Sequence, residues 1–209
     1  MGLRATTRAV AQVVWYVAYG SNMSRARLQR YLDRGPDPTP PRANRRFTIG
    51  HPLFFAGESQ VWGGGRAYVD HAVVDPPATL ARAWLLTRAQ WADLHAQESG
   101  ADHTPATEPG SLAVGEVRVV GTGRYDALIG LGRHEEIPVV TFTGPEPFDP
   151  PTCTRPEPAY LRAIATGLAE AHRLEAEAAA TYLASRPGMA GHWTVDEVKA
   201  ALGAHPRPG

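Results

Sequence analysis

The stretch Val13-Val14-Trp15-Tyr16-Val17-Ala18-Tyr19-Gly20-Ser21-Asn22-Met23 restricts the fold more than any other part of the chain. β-Branched and aromatic residues fill its first half, which suits a buried strand. Gly20, Ser21 and Asn22 break that run, and a helical pattern opens at about Ser24, with Leu28, Tyr31 and Leu32 on one side. A strand that ends in a small polar turn at a helix start leaves several backbone N–H groups unpaired and aimed at one spot. Such a spot suits a carboxylate or a developing oxyanion. The same spacing also describes an ordinary strand-to-helix turn.

A second constraint lies at 87–98. Thr87-Arg88-Ala89-Gln90 reads as a capping box, with a Thr hydroxyl for one orphan N–H and Gln three residues on. Trp91, Leu94 and His95 then share a helix face, and Glu98 follows on the same face seven residues after Trp91. A carboxylate there meets the unfavourable end of the helix dipole and a loss of hydration. Both raise its pKa. Glu98 is then either a functional acid/base or a side chain that has slipped past the helix end into solvent.

The remaining apolar runs, 47–55, 61–69, 80–86, 114–120 and 137–142, read as strands, which makes six with the opening one. Few helices separate them, so the expected architecture is α+β, an antiparallel or mixed sheet curled toward a barrel. Gly63-Gly64-Gly65 interrupts the second run, marking a bulge or a close approach of backbone or ligand. The last third turns helical. Thr154-Arg155-Pro156-Glu157 predicts a second capping box, Leu161, Ile164, Leu168 and Ala171 form the apolar stripe behind it, and Tyr160 sits on the flank. Its ring is packed in the core, or its hydroxyl faces a cleft. An Ala-rich helix follows until Pro187-Gly188, then a short one capped at Thr194, and 203–209 is expected to fray.

Composition narrows the class. A chain of 209 residues makes one domain the default, here an extension over 1–12, a domain over 13–203 and a tail over 204–209. The Pro-rich breaks at 35–42 and 143–158 are expected to be surface loops within that domain. Lys+Arg and Asp+Glu both number 21, so no chain-wide attraction to nucleic acid or an anionic membrane is expected. The lone Cys153 precludes an internal disulfide and fits a reducing compartment. Residues 1–12 lack an apolar signal-peptide core, and no run approaches the roughly 20 residues of a membrane helix. A soluble, cytoplasmic protein is expected.

Several motifs are set aside. Gly121-Thr122-Gly123 has Asp126 where a dinucleotide fingerprint needs glycine, and the opening loop is no P-loop. His134-Glu135-Glu136 lacks a second histidine, Ser21 is outside any GxSxG elbow, and Cys153 is assigned no chemistry. Arg42, Arg45 and Arg46 read as a solvated loop.

Together the pieces resemble the γ-glutamylcyclotransferase-like proteins. Tyr16-Val17-Ala18-Tyr19-Gly20-Ser21-Asn22-Met23 is similar to their YxAYGSNL/M signature, and Trp62-Gly63-Gly64-Gly65-Arg66-Ala67 to their glycine-rich strand. Residues 91–98 resemble the short helix ending in the family's catalytic glutamate, and Pro158-Ala159-Tyr160-Leu161 with Ile164 and Gly167 the C-terminal segment. Two positions depart: Ser99 stands where the family has glycine after the glutamate, and Glu157 or Pro158 where it has serine.

The resemblance implies a mixed β-barrel with flanking helices. It implies cyclisation of a γ-glutamyl amide to 5-oxoproline with release of an amine, without cofactor or metal. The partner would be a small γ-glutamyl molecule, with neither nucleic acid nor membrane. Glu98 would carry the proton transfers. Tyr16, Val17, Ala18, Tyr19, Gly20, Ser21 and Asn22 would form the substrate loop, Gly64 and Gly65 would let backbone approach, and the Tyr160 hydroxyl would donate. A γ-glutamyl amidohydrolase and a catalytically silent binding module are the alternatives.

Overall fold

The computed structural model describes residues 12–76, 78–100 and 108–203. Its strands are β1 (Val13–Ala18), β2 (Ala43–Ile49), β3 (Leu53–Ala56), β4 (Arg66–Val69), β5 (Thr79–Thr87), β6 (Val117–Val119), β7 (Ala127–His134) and β8 (Ile137–Thr143). Six of them form one mixed sheet in the order β2-β5-β1-β8-β7-β6. β1 lies inside that sheet with every residue buried, which is why its sequence is continuously apolar rather than alternating. It runs antiparallel to β5, from Val13 opposite Thr87 to Ala18 opposite Arg82, and parallel to β8.

The sheet is open, with β2 and β6 at its edges, and does not close into the expected barrel. Two apolar runs expected in the sheet are cut short. Gly50, His51 and Pro52 split the 47–55 run into β2 and β3, and the glycines at 63–65 confine the next to β4. β3 and β4 pair with each other as a separate two-stranded sheet, and Ala56 at the end of β3 also bridges Cys153. β7, at 127–134, was not expected as a strand. Its pattern is broken by Gly130 and Gly132, between which the register with β8 shifts. A Cβ at Gly130 would come within 2.2 Å of the Ala113 carbonyl oxygen, so glycine is required by close packing.

Among the described residues there are five α-helices, in chain order α1 (Arg25–Leu32), α2 (Arg88–Ser99), α3 (Pro158–His172), α4 (Ala176–Ala184) and α5 (Val195–Gly203). The predicted Thr87 capping box is formed in both directions, Gln90 N–H to Thr87 Oγ1 at 3.1 Å and Thr87 N–H to Gln90 Oε1 at 3.0 Å. The second predicted box is not. α3 begins at Pro158 behind Glu157, and the Thr154 N–H donates instead to the Phe55 carbonyl at 3.1 Å. Pro at the first helical position needs no N–H partner, so the helix starts three residues later than the Thr–Glu spacing suggests. A reciprocal box does cap α5, between Thr194 and Glu197. The tail at 204–209 lies outside the described residues. Among the described residues no helix is long and apolar enough to cross a membrane.

Candidate active site

The turn after β1 is a single 3-10 turn, Ser21–Met23, ahead of α1 rather than part of it. Met23 N–H closes onto the Gly20 carbonyl at 3.0 Å and Ser24 N–H onto the Ser21 carbonyl at 3.1 Å. The N–H groups of Ser21 and Asn22 donate to no described residue. The carbonyls on the other side of the turn are held from β5: Trp84 Nε1 donates to the Asn22 oxygen at 2.9 Å and Arg82 to the Met23 oxygen at 3.0 Å. Arg82 also pairs with Glu170 of α3 at 2.7 Å, and Glu170 in turn accepts from the Ser24 hydroxyl and the Arg25 N–H. A turn held from both sides presents its side chains in one fixed arrangement, as a binding site requires.

Beside the turn lies a cavity of about 470 Å³, within the usual range for small-molecule sites. Tyr16, Tyr19, Gly20, Ser21 and Asn22 line it. Val17 and Ala18 do not; they are core residues of β1 and act as scaffold. Glu98 reaches the same cavity from the last turn of α2, and Tyr160 from the first turn of α3. Asn22 Nδ2 donates to Glu98 Oε1 at 2.7 Å, joining the two sequence motifs directly. Asn22 Oδ1 is buried with no hydrogen-bond partner among the described residues.

Glu98 is half-buried, and it lines the cavity, so it has not slipped past the helix end. Loss of hydration pushes its carboxyl above the usual glutamate range. The hydrogen bond from Asn22, the neighbouring Tyr31 hydroxyl, and the charges of Arg27 and Arg124 each pull the other way, by less. Arg124 also donates to the Glu98 backbone oxygen at 3.2 Å, at the helix end where a cation is favoured. Burial pushes the Tyr160 phenol upward as well, so it remains a protonated donor. Its oxygen accepts from the Ala67 N–H at 3.2 Å and would touch a Cβ at Gly20 at 3.3 Å. The hydroxyl proton is thus left to donate. Tyr19 differs: its hydroxyl donates to the Phe142 carbonyl at 2.8 Å, so it shapes the wall.

Gly64 and Gly65, expected beside the ligand, lie outside the cavity lining. Added Cβ atoms there would stand 2.2 Å from the Arg155 oxygen and 2.1 Å from the Thr154 oxygen. These glycines seat the loop against the segment leading into α3, the segment that carries Tyr160. Arg27, Tyr31, Trp62, Arg66, Arg124 and Tyr125 also line the cavity, though none was expected to have a site role. Trp62 and Arg66 flank the glycine run that resembles the family's motif. Arg27 and Tyr31 are four apart on α1, directly after the turn.

A solved structure of a γ-glutamyl cyclotransferase superimposes with a TM-score of 0.53, covering 91% of this chain and 98% of that one at 18% identity. The chain has the γ-glutamyl cyclotransferase fold. An uncharacterized protein from Homo sapiens aligns at a TM-score of 0.48 and 18% identity, over 90% of this chain and 99% of that one. No family model matches the chain. It is 28% identical over 203 residues to Histone deacetylase 5 of Arabidopsis thaliana, and spans 30% of that protein's length. The activity in that name belongs to the plant protein and is not carried over to this one. Within the γ-glutamyl cyclotransferase fold, the turn after β1, the end of α2 and the start of α3 meet at one cavity.

Proposed function

We propose that the protein is a γ-glutamyl cyclotransferase. The reading rests above all on the Glu98 carboxylate, which shares one cavity with the Tyr160 hydroxyl and is held by the Asn22 amide. In a γ-glutamyl amide the α-amine attacks the side-chain carbonyl carbon, forming the five-membered ring of 5-oxoproline and breaking the bond to the departing nitrogen. Glu98 takes a proton from the α-ammonium and later gives it to that nitrogen, so one carboxyl serves both transfers. A raised pKa suits a group that must accept and return a proton near neutrality.

The other groups hold and stabilise. Asn22 Oδ1 accepts from the α-ammonium. The Ser21 and Asn22 N–H groups and the Tyr160 hydroxyl donate to the oxygen that gains charge as the ring closes. Holding the substrate folded on itself contributes up to about 7–11 kcal/mol in a well-oriented case. The test is product identity. Incubation with γ-glutamyl amino acids and γ-glutamyl amines, followed by mass spectrometry, should show 5-oxoproline and free amine in equal amounts. Free glutamate would mean that water is the nucleophile and would overturn cyclotransfer. No turnover across the panel would favour a silent binding protein.

A further inference from the structure

Four arginines line the cavity, Arg27, Arg34, Arg66 and Arg124, and among the described residues Glu98 is the only carboxylate lining it. The chain as a whole carries equal numbers of basic and acidic residues, so this imbalance is local. None of the four is paired with a carboxylate among the described residues, whereas Arg82, Arg88, Arg118, Arg133 and Arg155 all are.

The four fall into two tiers. Arg27 and Arg66 are half-buried, and each has a buried Nε–H with no acceptor among the described residues. Arg27 is also fixed in place, with its guanidinium 4.9 Å from the Trp62 ring centre and 5.2 Å from that of Tyr31. Arg34 and Arg124 are exposed at the rim. A desolvated guanidinium with an unused donor is unfavourable until an anion arrives. Once held on aromatic faces it binds a carboxylate without further loss of side-chain freedom.

On the cyclotransferase reading, the γ-glutamyl half brings one ammonium, which faces Glu98, and one α-carboxylate. That accounts for at most one of the four guanidinium groups. We infer that the departing amine is itself acidic, a dicarboxylic amino acid such as glutamate or aspartate, bound through Arg66 and the rim arginines. This inference rests on the proposed reaction for its γ-glutamyl half, and on the charge of the cavity for the rest.

The test uses a charge series: γ-glutamylglutamate, γ-glutamylalanine and γ-glutamylbutylamine. Calorimetry on the Glu98→Gln protein reads binding alone, and 5-oxoproline release by the wild type reads turnover. Each added carboxylate should strengthen binding and raise kcat/KM by roughly tenfold, the scale of a hydrogen bond to a charged group. The preference should shrink in high salt. Arg66→Gln should reduce the ratio of kcat/KM between the glutamate and butylamine conjugates. Arg34→Gln, on the exposed rim, tests the same point without disturbing a half-buried site.

Equal values along the series, or no binding of any member, would overturn the acidic amine. Equal values with 5-oxoproline still released would leave cyclotransfer standing. The predicted order of affinities with no 5-oxoproline would instead sink the reaction and keep the acidic ligand.

Discussion

The proton-transfer chemistry assigned to Glu98 depends on a balance of opposed effects. Burial raises its carboxyl above the usual range, and Asn22, Tyr31, Arg27 and Arg124 partly offset the rise. In the proposed reaction the group acts first as a base, so activity would need its ionised form, whose share grows as pH increases. The acidic limb of the kcat/KM profile should therefore lie above the ordinary glutamate value of about 4.3. Asn22→Ala removes a hydrogen bond that favours the charged form, so that limb should move to higher pH while the maximum rate falls. A pH–rate profile of both proteins checks this; a limb that stays put or moves to lower pH would contradict it. Glu98 was legible because Trp91, Leu94 and His95 fixed the buried face of its helix. Its partner was not. The hydrogen bond from Asn22 spans 76 residues of sequence, and no local pattern predicts which side chain will meet another at that separation.

Among the elements, α3 governs how well the turn after β1 is placed. Gly167 lies where α3 crosses that turn, and a Cβ there would sit 2.4 Å from Met23 Cβ and 2.9 Å from the Ser24 backbone nitrogen. In an isolated helix Ala would be favoured over Gly by about 1 kcal/mol. Here the contact is with backbone, so overpacking wins. Gly167→Ala should destabilise the protein by about 1–3 kcal/mol in a denaturant titration, and should lower kcat by displacing Asn22. A variant as stable and active as the wild type would show that the crossing is looser. β1 was readable from its unbroken apolar run, and α2 from its capping box and the shared face of Trp91, Leu94 and His95. β7 was hidden by the glycines that let a neighbouring loop approach. The start of α3 was misplaced because Pro158 supplies a helix entry that the Thr–Glu spacing does not encode. The glycines at 64 and 65 signalled close approach correctly, but the approaching group is protein backbone.

For the whole molecule, the open six-stranded sheet brings together three segments distant in sequence: the turn at 20–22, the end of α2 and the start of α3. The apolar runs indicated a mixed sheet, and that sheet stays open, with the second half of the 47–55 run and the end of the 61–69 run paired separately as β3 and β4. The charge of the cavity was invisible in a chain with balanced charges, since it arises from arginines on α1, on β4 and in the loops after α1 and before β7. Trp62 lies between two parts of the site, 4.9 Å from the Arg27 guanidinium and 5.4 Å from the Tyr160 ring. It thus joins the arginine tier to the proposed oxyanion donor. The most direct test of the account is the rate of 5-oxoproline formation by the wild type and Glu98→Gln on the same γ-glutamyl substrate, with affinity measured alongside. The account predicts a loss of about 10²–10⁴-fold in rate, the usual contribution of a positioned acid/base, with binding retained. Turnover by the Gln variant within a few-fold of the wild type would contradict it.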